Sequence, residues 1–123
     1  MRYLTDRKRA VGLGASRTGT EHHWSTIVSA VALVGLIPAF VVIVGRALGT
    51  SHDEVLATFS RPFPAIVALL TIGVGLMHFR SGAQIMIEDY SRGLIRKVLI
   101  IAVTCISYSA MVAGLYAVIR IAI

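Results

Sequence analysis

The sequence is short of several residue types, and each shortage excludes something. It has one cysteine, Cys105. A single thiol leaves no internal disulfide framework and no cysteine-rich zinc or iron–sulfur site. Acidic residues number six, and all charged residues together make up 15% of the chain, against roughly 25% in an ordinary soluble domain. Aromatics are 7% and prolines three, so the apolar excess is aliphatic, as lipid-facing helices require. There is no dinucleotide fingerprint, because Gly12-x-Gly14 lies in a polar head with no strand before it. No internal repeat or low-complexity tract is present.

What is there is apolar. The 123 residues are 56% hydrophobic, with a mean hydropathy of +0.79, and a chain of this length makes one domain at most. Residues 26–45 and 98–119 carry no charge, and residues 63–87 carry only Arg80. About 20 apolar residues cross a hydrocarbon core of about 30 Å. Isolated strands cannot satisfy their backbone groups in lipid, and three segments cannot close a barrel, so each run is predicted to be a transmembrane helix. The fold class expected is an all-α membrane protein: a basic head over residues 1–23, then a three-helix domain over 24–123. The first run is longer than a secretory h-region of about 7–15 residues and starts behind a polar head, which predicts an uncleaved span.

The net charge of +6 suggests nucleic acid only until the charges are located. They lie at the ends of the apolar runs, which is a membrane pattern. The head holds Arg2, Arg7, Lys8, Arg9 and Arg17, and the 88–97 connection holds Arg92, Arg96 and Lys97. The other side has Arg46, Arg61 and Arg120. This asymmetry predicts a cytoplasmic N-terminus and 88–97 connection, and a periplasmic C-terminus. The Arg7-Lys8-Arg9 cluster reads as a topology signal and headgroup contact, or as a docking patch. The head, with Gly12, Gly14 and Gly19, is expected to be irregular or ordered in part on a partner.

Ionisable groups at membrane depth are costly, and the second span concentrates them. It holds His78, Arg80 and Gln84 and ends in Glu88-Asp89-Tyr90. A neutral imidazole there has two readings, a helix–helix hydrogen bond or an axial ligand for haem iron. Gly82 follows one turn on, with Gly75 and Thr71 near the same stripe, so a flat ring or another helix can approach closely. The step from His78 to Asp89 is about 1100°, within about 20° of the same face and about 16 Å along the axis. Tyr90 reads as an interfacial belt residue or as a hydroxyl for a quinone carbonyl, with Asp89 supplying protons. Arg80, about 200° from His78, either snorkels or pairs with a haem propionate or a partner carboxylate. His22 and His23 precede the first span as packed or solvated residues, or as propionate or quinone-pocket contacts. Pro38 is expected to kink the first helix, and Cys105 to be a small packing residue.

The arrangement resembles the hydrophobic membrane-anchor subunit of succinate dehydrogenase (complex II), in its alphaproteobacterial form. The matching residues are His78-x-x-x-Gly82 with Ile87-Glu88-Asp89-Tyr90, supported by Gly19-Thr20-Glu21-His22-His23-Trp24 and Arg61-Pro62-Phe63-Pro64. The resemblance implies a four-subunit enzyme, and a head that is short for a transit peptide and carries Asp6 and Glu21 favours the bacterial inner membrane over the mitochondrial one. A flavoprotein with FAD oxidises succinate, an iron–sulfur subunit relays electrons, and two anchor subunits hold haem b and reduce ubiquinone. It implies His78 as one haem axial ligand, with the other on the second, cytochrome-b-type anchor. It further implies Tyr90 and Asp89 at the quinone. The family's arginine early in the first span is absent, so His22, His23 or Arg80 take its expected place toward the propionates. Competing readings are a fumarate reductase anchor, or a non-redox transporter or scaffold. A proton-coupled transporter would want a carboxylate deep in a span, and every acid here is at an interface.

Overall fold

A computed structural model describes residues 4–12, 14 and 19–123. They form five helices and no strand: α1 (Asp6–Val11), α2 (Gly19–Ala47), α3 (His52–Phe59), α4 (Pro62–Tyr90) and α5 (Gly93–Ala122). Three of these, α2, α4 and α5, are long and apolar enough to cross a membrane. The all-helical, three-span class expected from the sequence is therefore the one observed. At about 1.5 Å per residue each spans more than about 40 Å, so the helices outrun the hydrocarbon core and carry their polar ends into the headgroup layer.

The polar segments are more helical than their composition suggested. Thr5 caps α1 by accepting from the Lys8 amide at 3.3 Å, and Asp6 pairs with Arg9 across one turn at 3.7 Å. This short helix packs on no other described element. Arg2 and Arg17, two of the cations that weigh toward orientation, lie outside the described residues. α2 starts at Gly19, so His22, His23 and Trp24 are already helical. The helix runs unbroken through Pro38. The 46–61 connection folds as α3 because Ser51 and Glu54 form a reciprocal capping box, with the Ser51 amide donating to Glu54 Oε2 at 2.9 Å.

Chain reversals rest on residues that tolerate them. Gly49, at φ +80°, follows the end of α2 in the left-handed region that terminates helices. Pro62 begins α4, where a missing amide hydrogen costs nothing. Between α4 and α5 only Ser91 and Arg92 intervene before Gly93, at φ +63°.

α4 occupies the middle. It packs against α2 on one side and α5 on the other, while α2 and α5 do not meet. The three spans thus form a row rather than a closed bundle. Among the described residues six are buried, and four of them belong to α4: Ala65, Val67, Ala68 and Ile87, with Leu33 from α2 and Ser107 from α5. In lipid, apolar burial does not drive helices together, so close packing of small residues has to do it. Gly114 shows this most clearly, since a Cβ there would come within 3.0 Å of Ile72 Cγ2.

Candidate functional site: a histidine held between two membrane helices

His78 is half-buried on α4, and its Nδ1 lies 2.9 Å from the Ser29 hydroxyl of α2. The same hydroxyl donates to the Thr26 carbonyl at 2.9 Å. A serine has one proton to give, and with that proton on the Thr26 carbonyl a neutral imidazole donates to Ser29 from Nδ1 and keeps its Nε2 lone pair free. Among the described residues Nε2 has no hydrogen-bond partner. A ring fixed through one nitrogen, with the other unprotonated, is the state a metal-ligating histidine adopts.

The surroundings are mostly apolar. His78 borders a groove of about 420 Å3 lined by Ala30, Leu33, Val34, Ile37 and Pro38 of α2. Ser29 borders a second, larger cleft of about 690 Å3 that also takes in Glu21, His22, Trp24 and Arg80. The small residues near His78 divide into two roles. Gly75 faces Leu33, whose Cδ2 would lie 3.9 Å from an added Cβ, so it serves helix packing. Gly82 has nothing within contact distance and leaves open space one turn from His78.

Of the residues singled out in the sequence, His22 and Arg80 are brought to one cleft, while His23 is exposed on the helix surface. Arg80 is also turned toward α5: its Nη1 donates to the Tyr108 hydroxyl at 3.4 Å, and its Cζ lies 5.6 Å from that ring's centroid. This cation–π contact keeps the guanidinium at the protein surface without a carboxylate. Its Nε is buried with no partner.

At the end of α4, Glu88 is held from two sides. Gln84 Nε2 donates to it at 3.0 Å, and Arg96 of α5 approaches at 3.7 Å. The next two residues are free: Asp89 is exposed and Tyr90 is 87% exposed. No described residue group gathers three His, Cys, Asp or Glu as a metal site. One imidazole at membrane depth is at most one of the two ligands that a bis-histidine haem site needs. Ser29, Thr26 and Tyr108 were not signalled by the sequence. Ser29 is 49 residues from the ring it holds, and no spacing rule links residues on different helices.

Comparison with known proteins agrees with this architecture. Residues 1–116 match the succinate dehydrogenase/fumarate reductase transmembrane subunit family. The chain is 48% identical over 120 residues to the succinate dehydrogenase hydrophobic membrane anchor subunit of Paracoccus denitrificans, covering 98% of this chain and 93% of that one. No solved structure matches. Three apolar helices and this relative fit a multi-pass protein of the bacterial inner membrane. With its three spans and its match along nearly the whole length, the chain belongs to the succinate dehydrogenase/fumarate reductase transmembrane subunits, as a hydrophobic membrane anchor.

Proposed function

We propose that this chain anchors a succinate dehydrogenase in the membrane, supplies one axial ligand to a haem b, and forms part of the ubiquinone-reduction site. The observation that carries the reading is the Ser29–His78 hydrogen bond, because it engages Nδ1, orients the ring and leaves Nε2 without a described partner. The open space at Gly82 and the apolar groove beside His78 suit a flat, largely apolar macrocycle. Bound there, haem b supplies one-electron storage within the membrane. His78 would hold it through Nε2, and the second ligand would come from the other anchor subunit. His22 and Arg80, which share a cleft, are the candidates for the acidic side groups of the haem, with His23 one residue away at the same helix end.

At the end of α4, the exposed Tyr90 hydroxyl is available to donate to a quinone carbonyl oxygen. Asp89, beside it and in solvent, can pass protons to the reduced oxygen. Glu88 is engaged with Gln84 and Arg96 and shapes the helix end instead. The Lys and Arg distribution favours a cytoplasmic N-terminus, and Tyr90 then faces the compartment from which an iron–sulfur subunit delivers electrons. FAD, the iron–sulfur clusters and succinate oxidation itself belong to the partner subunits, since this chain has one cysteine and no dinucleotide motif.

The test is co-purification. The chain, tagged and extracted in mild detergent, is expected to bring with it a flavoprotein, an iron–sulfur protein and a second three-span subunit. Recovery alone, or with unrelated proteins, would remove the roles assigned to His78 and Tyr90.

A further inference from the structure

At the end of the bundle remote from His22, a third groove of about 530 Å3 runs between α2 and α4, and it differs from the other two. Its walls are apolar, with Pro38, Val42, Ile43 and Phe63 among them, yet it also takes in both Arg46 and Arg61. Arg46 comes from the last turn of α2 and Arg61 from the N-cap of α4, so two separate elements each contribute an arginine to the lining of one slot. Two acids close by in sequence could have neutralised them. Neither does: Glu54 folds back to accept from the Ser51 amide at 2.9 Å, and Asp53 lies beside His52 at 3.7 Å with its side chain in solvent. No described carboxylate is within ion-pair distance of Arg46 or Arg61.

The occupant of such a slot has to be anionic at one end and aliphatic below it. α4 begins here without a side-chain cap, so the positive end of its dipole adds to the two arginines. Arginine's planar fork suits a phosphate better than a point charge would. The ends of the spans are also where headgroups lie. We propose that this groove binds an acidic phospholipid, its phosphate between Arg46 and Arg61 and an acyl chain along Val42, Ile43 and Phe63. The assignment is independent of the haem and quinone roles.

The experiment uses the intact complex, stripped of lipid in detergent. Lipid retained per complex is counted by intact-complex mass spectrometry after incubation with phosphatidylglycerol, phosphatidylcholine or inorganic phosphate. Phosphatidylglycerol is expected to be retained in preference to phosphatidylcholine. In the Arg46→Gln/Arg61→Gln variant its affinity should fall about thirtyfold, with subunit composition and haem absorbance unchanged. Arg46→Lys/Arg61→Lys should keep most of the binding. Ala39→Phe, which fills the slot and leaves both arginines, should reduce it. If the double variant does not assemble, the two single Gln variants carry the test. Equal retention of phosphatidylcholine, undiminished retention in the Gln variants, or full displacement of the lipid by inorganic phosphate would each overturn the proposal. So would an intact complex that excludes lipid because a partner subunit covers both arginines.

Discussion

The two sides of α4 are packed in different ways. Toward α5 the contact is tight: Gly114 lets Ile72 in closely, Ser107 is buried at 3% exposure, and Arg80 lies over Tyr108. Toward α2 it is interrupted, and three clefts of about 690, 530 and 420 Å3 lie along that line. The connections differ in the same sense. α5 follows α4 after two residues, whereas α2 reaches α4 only through α3. The hairpin of α4 and α5 is thus the more closely packed half, and the clefts lie on the α2 side. The one inter-helix hydrogen bond involving His78 crosses that open side, to Ser29.

The largest effect that could break this division is at His78. His78→Ala should abolish b-type haem absorbance in the purified complex, while Ser107→Ala, on the tight side, should leave the spectrum intact. An unchanged spectrum in the first variant would end the ligand assignment. Ser29→Ala is expected to act one step removed, because the ring would lose its Nδ1 acceptor. Loss of such an outer partner typically weakens metal binding about ten- to a hundredfold. Faster haem loss and a shifted midpoint potential are the readouts, with Ser29→Thr restoring both. A wild-type potential in Ser29→Ala would mean the hydrogen bond serves packing only.

His78 was legible in the sequence because an ionisable side chain in a long apolar run, here shared only with Arg80, has a physical cost wherever it points. The spans were legible for the same reason, since charge-free length is what lipid demands. The partner that orients the His78 ring was not, because Ser29 lies on another helix, 49 residues away. The order of the row was hidden too: all three helices are apolar enough to cross a membrane and all three carry small residues, so their content does not say which one lies between the others. Ser51-His52-Asp53-Glu54 does carry a capping-box pattern for α3. Its place between two spans masks that pattern, because a short polar stretch there has the composition of a plain connection.

The tight side makes its own prediction. Gly114→Val places a branched side chain where even a Cβ would crowd Ile72 Cγ2 at 3.0 Å. Ile72 is itself β-branched and stiff at χ1, so the helices must separate, at a cost of about 2 kcal/mol. Gly73→Ala, on α4 beside Ile72, meets nothing within contact distance and should be neutral or slightly stabilising. Thermal unfolding of the detergent-solubilised complex checks both. Equal midpoints for the two variants would mean that α5 is not held through Gly114.

The smallest effect expected is at the end of α4, where the two sides of the helix meet the aqueous phase. Glu88 is drawn toward α5 by Arg96, while Tyr90 stands free. Tyr90→Phe removes one hydroxyl and no packing, because no described residue covers it. A single hydrogen bond lost from the reacting quinone should lower quinone reduction about tenfold. Succinate oxidation measured with an artificial electron acceptor should not change, since it does not pass through this chain. Arg96→Gln loosens only a half-exposed ion pair, worth little in water, and should leave both rates near wild type. If Tyr90→Phe and Arg96→Gln depress quinone reduction equally, the helix end as a whole matters, and the hydroxyl has no separate part in the reaction. If Tyr90→Phe depresses both activities together, the residue contributes to assembly at the iron–sulfur contact instead.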